Sequence, residues 1–478
     1  MSLDPPTYIV SLQNNIRARP ISWEGAVRAR TITDEDLKRI KSVDKVRKEQ
    51  RKQTIEADPQ SYSTLLLGGN GAQSIFQAAF KRQDIIQYML VLAGDIVDDI
   101  PSFVSELVQH PNPFEPFLPL LKYSNNAEDP VPLLASTVLS SLLSQAQLVV
   151  PKLSPEIEDA LSKLYAFIST LAKSSDAGLQ DIAVQEYSSL LRARKSREIF
   201  WKQRKETLNP LIDILRAAAG APKESDSTLW SGGNSIRSAT EVGLSGGVGI
   251  QLLYHVLLVV WQLSFEGSLI GEGLEDEHDI IPLYCQLLRL SPKEKTTRIL
   301  LSTLYNLLSS NRNTLLPAAT LIKLPTLLQT LQGRHLTDED LLEDLNALKE
   351  MLDEYTKTQT TFDQYAAEVQ SGHLRWSPPH RNPQFWRENA RRIVEEGNGE
   401  LPKKLAEIMS KTWDNDKQVL AIGCNDVACL VKEVPEKRTQ LEKVGLKGRV
   451  MGLMQEADES VRWESLRAVG EWLRYNFE

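Results

Sequence analysis

The chain has 478 residues, room for about three or four ordinary domains or one extended repeat array. Apolar residues make up 41% and charged residues 25%, which excludes disorder of the whole chain. Lys plus Arg number 55 against 63 Asp plus Glu, a formal charge of −8, so the global basic footprint of a nucleic-acid binder is missing. The three cysteines (Cys285, Cys424 and Cys429) form no CxxC pair, which argues against a disulfide framework or a zinc site and fits a reducing compartment.

Along the chain, Met1 to Pro6 lack the apolar core of a secretory signal. Lys41, Lys45, Arg47, Lys48, Arg51 and Lys52 form a basic cluster that reads as a solvated helix face, or as a contact for an acidic partner helix or anionic headgroups. Gly68-Gly-Asn-Gly71 is a turn between helices. Apolar residues then recur at three- and four-residue spacing over Val131 to Val150 and through Leu161, Leu164, Phe167, Ile168 and Leu171, with no βαβ alternation. Pro119, Pro210, Pro282 and Pro325 each open an apolar stretch, as suits the first turn of a helix. Their spacings of 91, 72 and 43 residues suggest an irregular array of roughly 40–47-residue helical repeats.

Ala221 to Gly249 is rich in Gly, Ser and charge and reads as a loop interrupting that array. Within it, Gly243-Leu-Ser-Gly-Gly-Val-Gly249 has neither the Lys-Ser/Thr nor the preceding strand of a phosphate loop. Leu252 to Trp261 is the longest strongly apolar run, about half a bilayer span, and it contains His255, so it reads as a buried helix. The expectation is a cytoplasmic chain with any membrane link through partners. Glu275-Asp-Glu-His278 reads as a charged surface turn. Leu300, Leu301, Leu304, Leu307 and Leu308 mark a further helix, and Thr337 with Asp340 resembles a capping box. Glu354 to Thr361 has no apolar stripe, which places a domain boundary near 353–360. Trp376-Ser-Pro-Pro-His-Arg-Asn-Pro-Gln-Phe-Trp386 packs three prolines and three aromatics into a rigid connection expected to be non-helical.

The C-terminal end repeats more clearly. Asp416 to Leu430 aligns with Asp458 to Trp472 at an offset of 42, matching Val419 to Val461, Cys424 to Leu466, Val427 to Val469 and Leu430 to Trp472. That makes Cys424 a core residue. Cys429, five positions on, points elsewhere on the same helix. No HExxH or Gly-x-Ser-x-Gly occurs. The fold class is all-α: an armadillo/HEAT-like α-solenoid with a large N-terminal superhelical domain (1–353), a linker (354–360) and a smaller C-terminal helical domain (361–478). Such a surface suits binding more than catalysis, and no cofactor or metal is expected.

His373-Leu-Arg-Trp-Ser-Pro-Pro-His380 with Phe385-Trp386 resembles the domain-joining region of the H subunit of the vacuolar-type proton-pumping ATPase (V-ATPase), in its fungal form. Gly249-Ile-Gln-Leu-Leu-Tyr-His255 with Trp261 and Phe265, Arg17-Ala-Arg19 with Ser22-Trp23-Glu24, Lys293-Glu-Lys295 with Arg298, and Phe362-Asp-Gln-Tyr365 extend the resemblance over nearly the whole chain. It implies a non-catalytic regulatory protein on the cytosolic face of the vacuolar membrane. That protein would couple the ATP-hydrolysing and proton-translocating sectors and silence ATP hydrolysis once the catalytic sector is released. Implied partners are the E and G subunits of the peripheral stalk, the N-terminal cytosolic part of the membrane-embedded a subunit, and the central rotor region of the released sector. The inhibitory loop of the family falls, by position, on Lys411, Thr412, Trp413, Asp414, Asn415, Asp416 and Lys417, after Ser410. Trp413 there is either a packed anchor or an exposed contact. An armadillo-type peptide-binding adaptor in membrane trafficking is the alternative, though irregularly spaced tryptophans argue against an import-receptor groove.

Overall fold

The computed structural model describes residues 6–69, 71–126, 128–149, 154–220, 249–291, 293–358, 360–413 and 416–474. Among them the regular structure is helical throughout, save one isolated bridge between Gly69 and Ala72 that closes the expected glycine turn. The expected loop over 221–249 lies outside the described residues, except Gly249, which precedes helix Ile250–Ser264. The fold is the expected all-α, armadillo/HEAT-like stack, in which helices pack on neighbours close in sequence. By internal packing the described residues form two compact units, one of 6–215 with 249–266, the other of 216–220 with 267–474.

Helix starts follow local chemistry. Thr33, Ser74 and Thr360 each accept a hydrogen bond from the N3 backbone while Asp36, Gln77 or Asp363 reaches back, completing capping boxes. Pro119, Pro210 and Pro325 sit at second positions of their helices, and Pro282 at the third of Ile280–Leu290. Thr337 does not cap. Asp338 does, accepting from Leu341 N–H at 3.0 Å, because the Thr337 backbone and hydroxyl are engaged by the Glu294 carboxylate at 3.0–3.1 Å. Helix Glu339–Thr358 runs on through Glu354 and Tyr355, so most of the expected break is the end of a 20-residue helix.

In the first unit, Tyr165, Tyr187 and Phe200 pack edge-on and tilted at 4.9–5.8 Å in the core. Helix Pro130–Val149 is long and apolar enough to cross a membrane, whereas the longest strongly apolar run of the sequence, Leu252–Trp261, is not. Helix Pro130–Val149 is a core helix here, with 72% of its apolar window buried. Helix Ile250–Ser264 is buried as expected, and His255 Nδ1 pairs with Asp181 at 2.8 Å. The basic cluster is only partly solvated. Arg51 turns inward to Asp99 at 3.1 Å and to the Val43 carbonyl at 3.2 Å, and Lys48 meets Asp99 at 2.8 Å, because helix Gln83–Asp99 presents its acidic end there.

Glu186 is enclosed in this unit, accepting from Ser136 Oγ and Thr137 Oγ1 at 3.0 Å each. Burial pushes its carboxyl up to about 8 against the pull of the Ser136, Thr137 and Ser140 hydroxyls. A folded pKa above the unfolded value means stability is fully present below about 4.5 and lost as pH rises through about 8. Glu186→Gln, which mimics the neutral acid and ionises in neither state, should leave the thermal midpoint at pH 4 nearly unchanged and raise it by several degrees at pH 9, read by circular dichroism.

Candidate partner-binding loop

The second unit carries the loop. Helix Glu400–Ile408 ends at Met409, and helix Gln418–Glu433 begins after Lys417. The two pass so closely that a Cβ at Gly423 would come within 2.8 Å of Met409 Cγ. Between them Trp413 resolves to a packed anchor: it is 2% exposed, sits at φ +49°, and donates from Nε1 to the Ile408 carbonyl at 2.8 Å. A left-handed tryptophan is held only by over-determined packing. Its ring meets His373 edge-on at 6.0 Å, and His373 Nε2 pairs with Asp279 at 3.0 Å. Asp279 is itself left-handed, at φ +50°, just ahead of helix Ile280–Leu290.

The flanks of Trp413 point outward. Ser410, Lys411 and Thr412 are exposed, with the Lys411 ammonium 5.8 Å from the Trp413 ring. Asp416 N–H donates to the Trp413 carbonyl at 3.0 Å, and the Asp416 carboxylate accepts from Gln418 N–H at 3.2 Å. Lys417 donates to the Thr412 carbonyl at 2.8 Å and pairs with Glu456 at 3.4 Å. Asp414 and Asn415 lie outside the described residues. The anchored turn thus presents a short polar ridge.

The proline-rich segment departs from expectation in being largely helical. Pro378–Arg381 forms one turn and Pro383–Glu395 a full helix holding Phe385 and Trp386, because a proline at an N-terminal position pre-sets helical φ. The segment delivers His380 into a closed charge cluster. His380 Nδ1 donates to Asp426 at 2.7 Å and Nε2 to Glu368 at 3.0 Å, all three side chains being at most 1% exposed. Ser377 Oγ and the Arg375 backbone also donate to Glu368. Burial pulls the imidazolium pKa down, but the two carboxylates outweigh it and hold it at about 10. Burial likewise pushes Asp426 up against the pull of His380. Tyr365, Phe385 and Trp386 wall the cluster in.

Sequence reasoning missed this cluster, because its three ionisable groups are dispersed between 368 and 426 and only the fold unites them. It also misplaced Glu275-Asp-Glu-His278. Asp276 and Glu277 are exposed, but His278 is buried and Glu275 half-buried within helix Gly267–His278; Glu275 accepts from Ile281 N–H at 2.9 Å, and desolvation lifts its carboxyl to about 8. Cys424 is buried as expected, but its repeat partner Leu466 is 47% exposed, since among the described residues helix Glu459–Arg474 packs on helices Gln418–Glu433 and Leu446–Leu453 and leaves that face open. Burial raises all three thiols to about 12. Among the described residues, no group of three or more His, Cys, Asp or Glu side chains could hold a metal.

Two family models, both describing the H subunit of the V-ATPase, match residues 7–352 and 358–477. The chain is 27% identical over 471 residues to the V-type proton ATPase H subunit of Drosophila melanogaster, covering 97% of this chain and 89% of that protein. It is 26% identical to a probable V-type proton ATPase H subunit of Oryza sativa subsp. japonica, covering 94% of each. Among solved structures, an engineered protein is 12% identical with TM-score 0.37, covering 68% of this chain and 98% of its own. A designed armadillo repeat protein, YIII(Dq)4CqI, is 11% identical with TM-score 0.29, covering 64% and 99%.

Proposed function

The chain belongs to the family of V-ATPase H subunits, and on that premise we propose that it is the regulatory clamp between the pump's catalytic and membrane sectors, needed for activity of the assembled pump and inhibitory once the catalytic sector is released. A rotary motor stops when a rigid body ties rotor to stator. The proposed division is an N-terminal superhelix over 1–353, a joint at 354–360 and a C-terminal part over 361–478; the two family matches, ending at 352 and resuming at 358, support it. The first part would hold the stalk of the E and G subunits. The second would hold the N-terminal cytosolic part of the membrane-embedded a subunit in the assembled pump, or the central rotor region in the released sector. The chain would then lie on the cytosolic face of the vacuolar membrane, peripheral to it. Switching requires contacts that differ between the two placements.

The observation that carries the inhibitory role is the anchored turn. Trp413 fixes the backbone from below, so Lys411 and Thr412 stand exposed at a set position instead of on a fluctuating loop. A preorganised ridge loses little entropy on binding. The test is ATP hydrolysis by the catalytic sector freed of its own H subunit, with equimolar full-length protein. The expected result is strong suppression by the wild-type chain, and largely restored hydrolysis with K411A/T412A, which should still bind the E–G stalk. Undiminished hydrolysis with the wild-type chain bound to the stalk would refute the inhibitory reading. Failure to bind the stalk at all would favour an adaptor role.

A further inference from the structure

Helix Glu459–Arg474 exposes an apolar stripe. Trp463 is 68% exposed, Leu466 47% and Leu473 48%, on one face of the helix. One repeat earlier, at the offset of 42, the same positions are Ala421, Cys424 and Val431, all buried at 1% or less. In a stack of helical repeats that face is covered by the next helix. The stripe opens onto a cleft of about 530 Å³ whose other wall is Trp376 and Arg381, the guanidinium lying 4.9 Å over the indole. Arg462 borders the same cleft and, among the described residues, donates to the Glu456 carbonyl at 3.3 Å.

Charge decides what fits. Among the described residues, neither Arg381 nor Arg462 has a carboxylate within ion-pair reach. Glu464 is already paired with Arg467 at 2.8 Å, and Glu459 stands in the first turn of its helix, where the helix dipole offsets its charge. The cleft therefore offers, beside an exposed tryptophan, two guanidinium groups that lack an ion-pair partner among the described residues, and both residue types are enriched where binding energy concentrates.

We propose that this cleft is a second docking surface, separate from the Lys411–Lys417 loop, and that it receives an acidic amphipathic helix of another pump component. The helix would lie as the next layer of the stack, its apolar side on Trp463 and Leu466 and its carboxylates on Arg381 and Arg462. The proposal rests on the pump reading only for the source of that helix.

The test uses the full-length chain and a fluorescein-labelled 21-residue peptide with Leu at i, i+3, i+4 and i+7 spacing and Glu on the opposite face, beside a twin carrying Lys for every Glu. Anisotropy should show saturable binding of the acidic peptide, weakened about tenfold or more in W463A and in R381A/R462A, and about tenfold weaker for the basic twin. Both variants change exposed side chains, so E–G stalk binding should stay at the wild-type level. Equal binding of the two peptides, or unchanged binding in W463A, would overturn the proposal. So would concentration-dependent self-association in sedimentation that W463A abolishes, since the occupant would then be a second copy of this chain. If the wild-type protein fails to bind the E–G stalk while it still discriminates the peptides, the pump reading falls and the cleft stands.

Discussion

His380→Ala is expected to destabilise the C-terminal helices by about 3–5 kcal/mol, the cost of leaving buried carboxylates without their counter-charge. Glu368 and Asp426 are both enclosed, and the imidazolium is the one cation within hydrogen-bond reach of either at 2.7 and 3.0 Å among the described residues. Hydrogen exchange of helix Gln418–Glu433 reads the loss directly. The penalty should be non-additive: in an E368Q/D426N background, where no buried anion remains, removing His380 should cost much less. Equal costs in the two backgrounds would show that His380 acts only by filling space. The cluster also sets a pH window. With the folded pKa raised from 6.5 to about 10, its stabilisation is complete below about 6.5 and lost as pH climbs through about 10. Opening of that helix should therefore accelerate between pH 7 and 10 in the wild type, and far less in the triple variant H380A/E368Q/D426N.

Trp413→Ala carries the second large effect, on function more than on global stability. Deleting a fully buried indole costs about 3–5 kcal/mol where the site cannot collapse. Here the lost contacts are those that hold the turn: the ring against His373 and the Nε1 bond to Ile408. The variant should keep its His380 cluster and its stalk binding. Exchange over 409–413 should rise by orders of magnitude, and inhibition of the released catalytic sector should fall at least as far as in K411A/T412A. Trp413→Phe keeps most of the burial and forfeits one hydrogen bond, worth about 1 kcal/mol, so it should inhibit almost normally. Full inhibition by Trp413→Ala would mean that the exposed side chains act without a fixed backbone beneath them.

These two tryptophan- and histidine-centred sites differ in how far the sequence announced them. Periodicity was enough for the all-helical stack, and the 42-residue offset was enough to bury Val419, Cys424 and Leu430, because burial along a repeat follows local spacing. The loop could be placed by position, but Trp413 could have been anchor or contact until packing decided it. Glu275 looked like surface charge within an acidic run, yet it turns to the start of the next helix and is half-buried there, accepting from Ile281 N–H. Arg51 looked like one cation among six, and only the acidic end of a helix over 40 residues away turns it inward. The same offset that placed Cys424 misjudged Leu466, since repeat alignment predicts which residues share a face but not whether a neighbour covers that face.

The three thiols have a practical consequence for chemistry in solution. Nucleophilic sulfur is thiolate, and with each pKa near 12 only about one thiol in 10⁵ is ionised at pH 7, against a few per cent for free cysteine. Mild oxidants and alkylating reagents should pass over the buried Cys285 and Cys424 of the folded protein, while Cys429 is half-buried at a cleft. Modification then waits on local opening, so the labelling rates of Cys285 and Cys424 are separate clocks for the helices Ile280–Leu290 and Gln418–Glu433. A native chain carries in this way its own reporters for which part loosens first, with no residue changed.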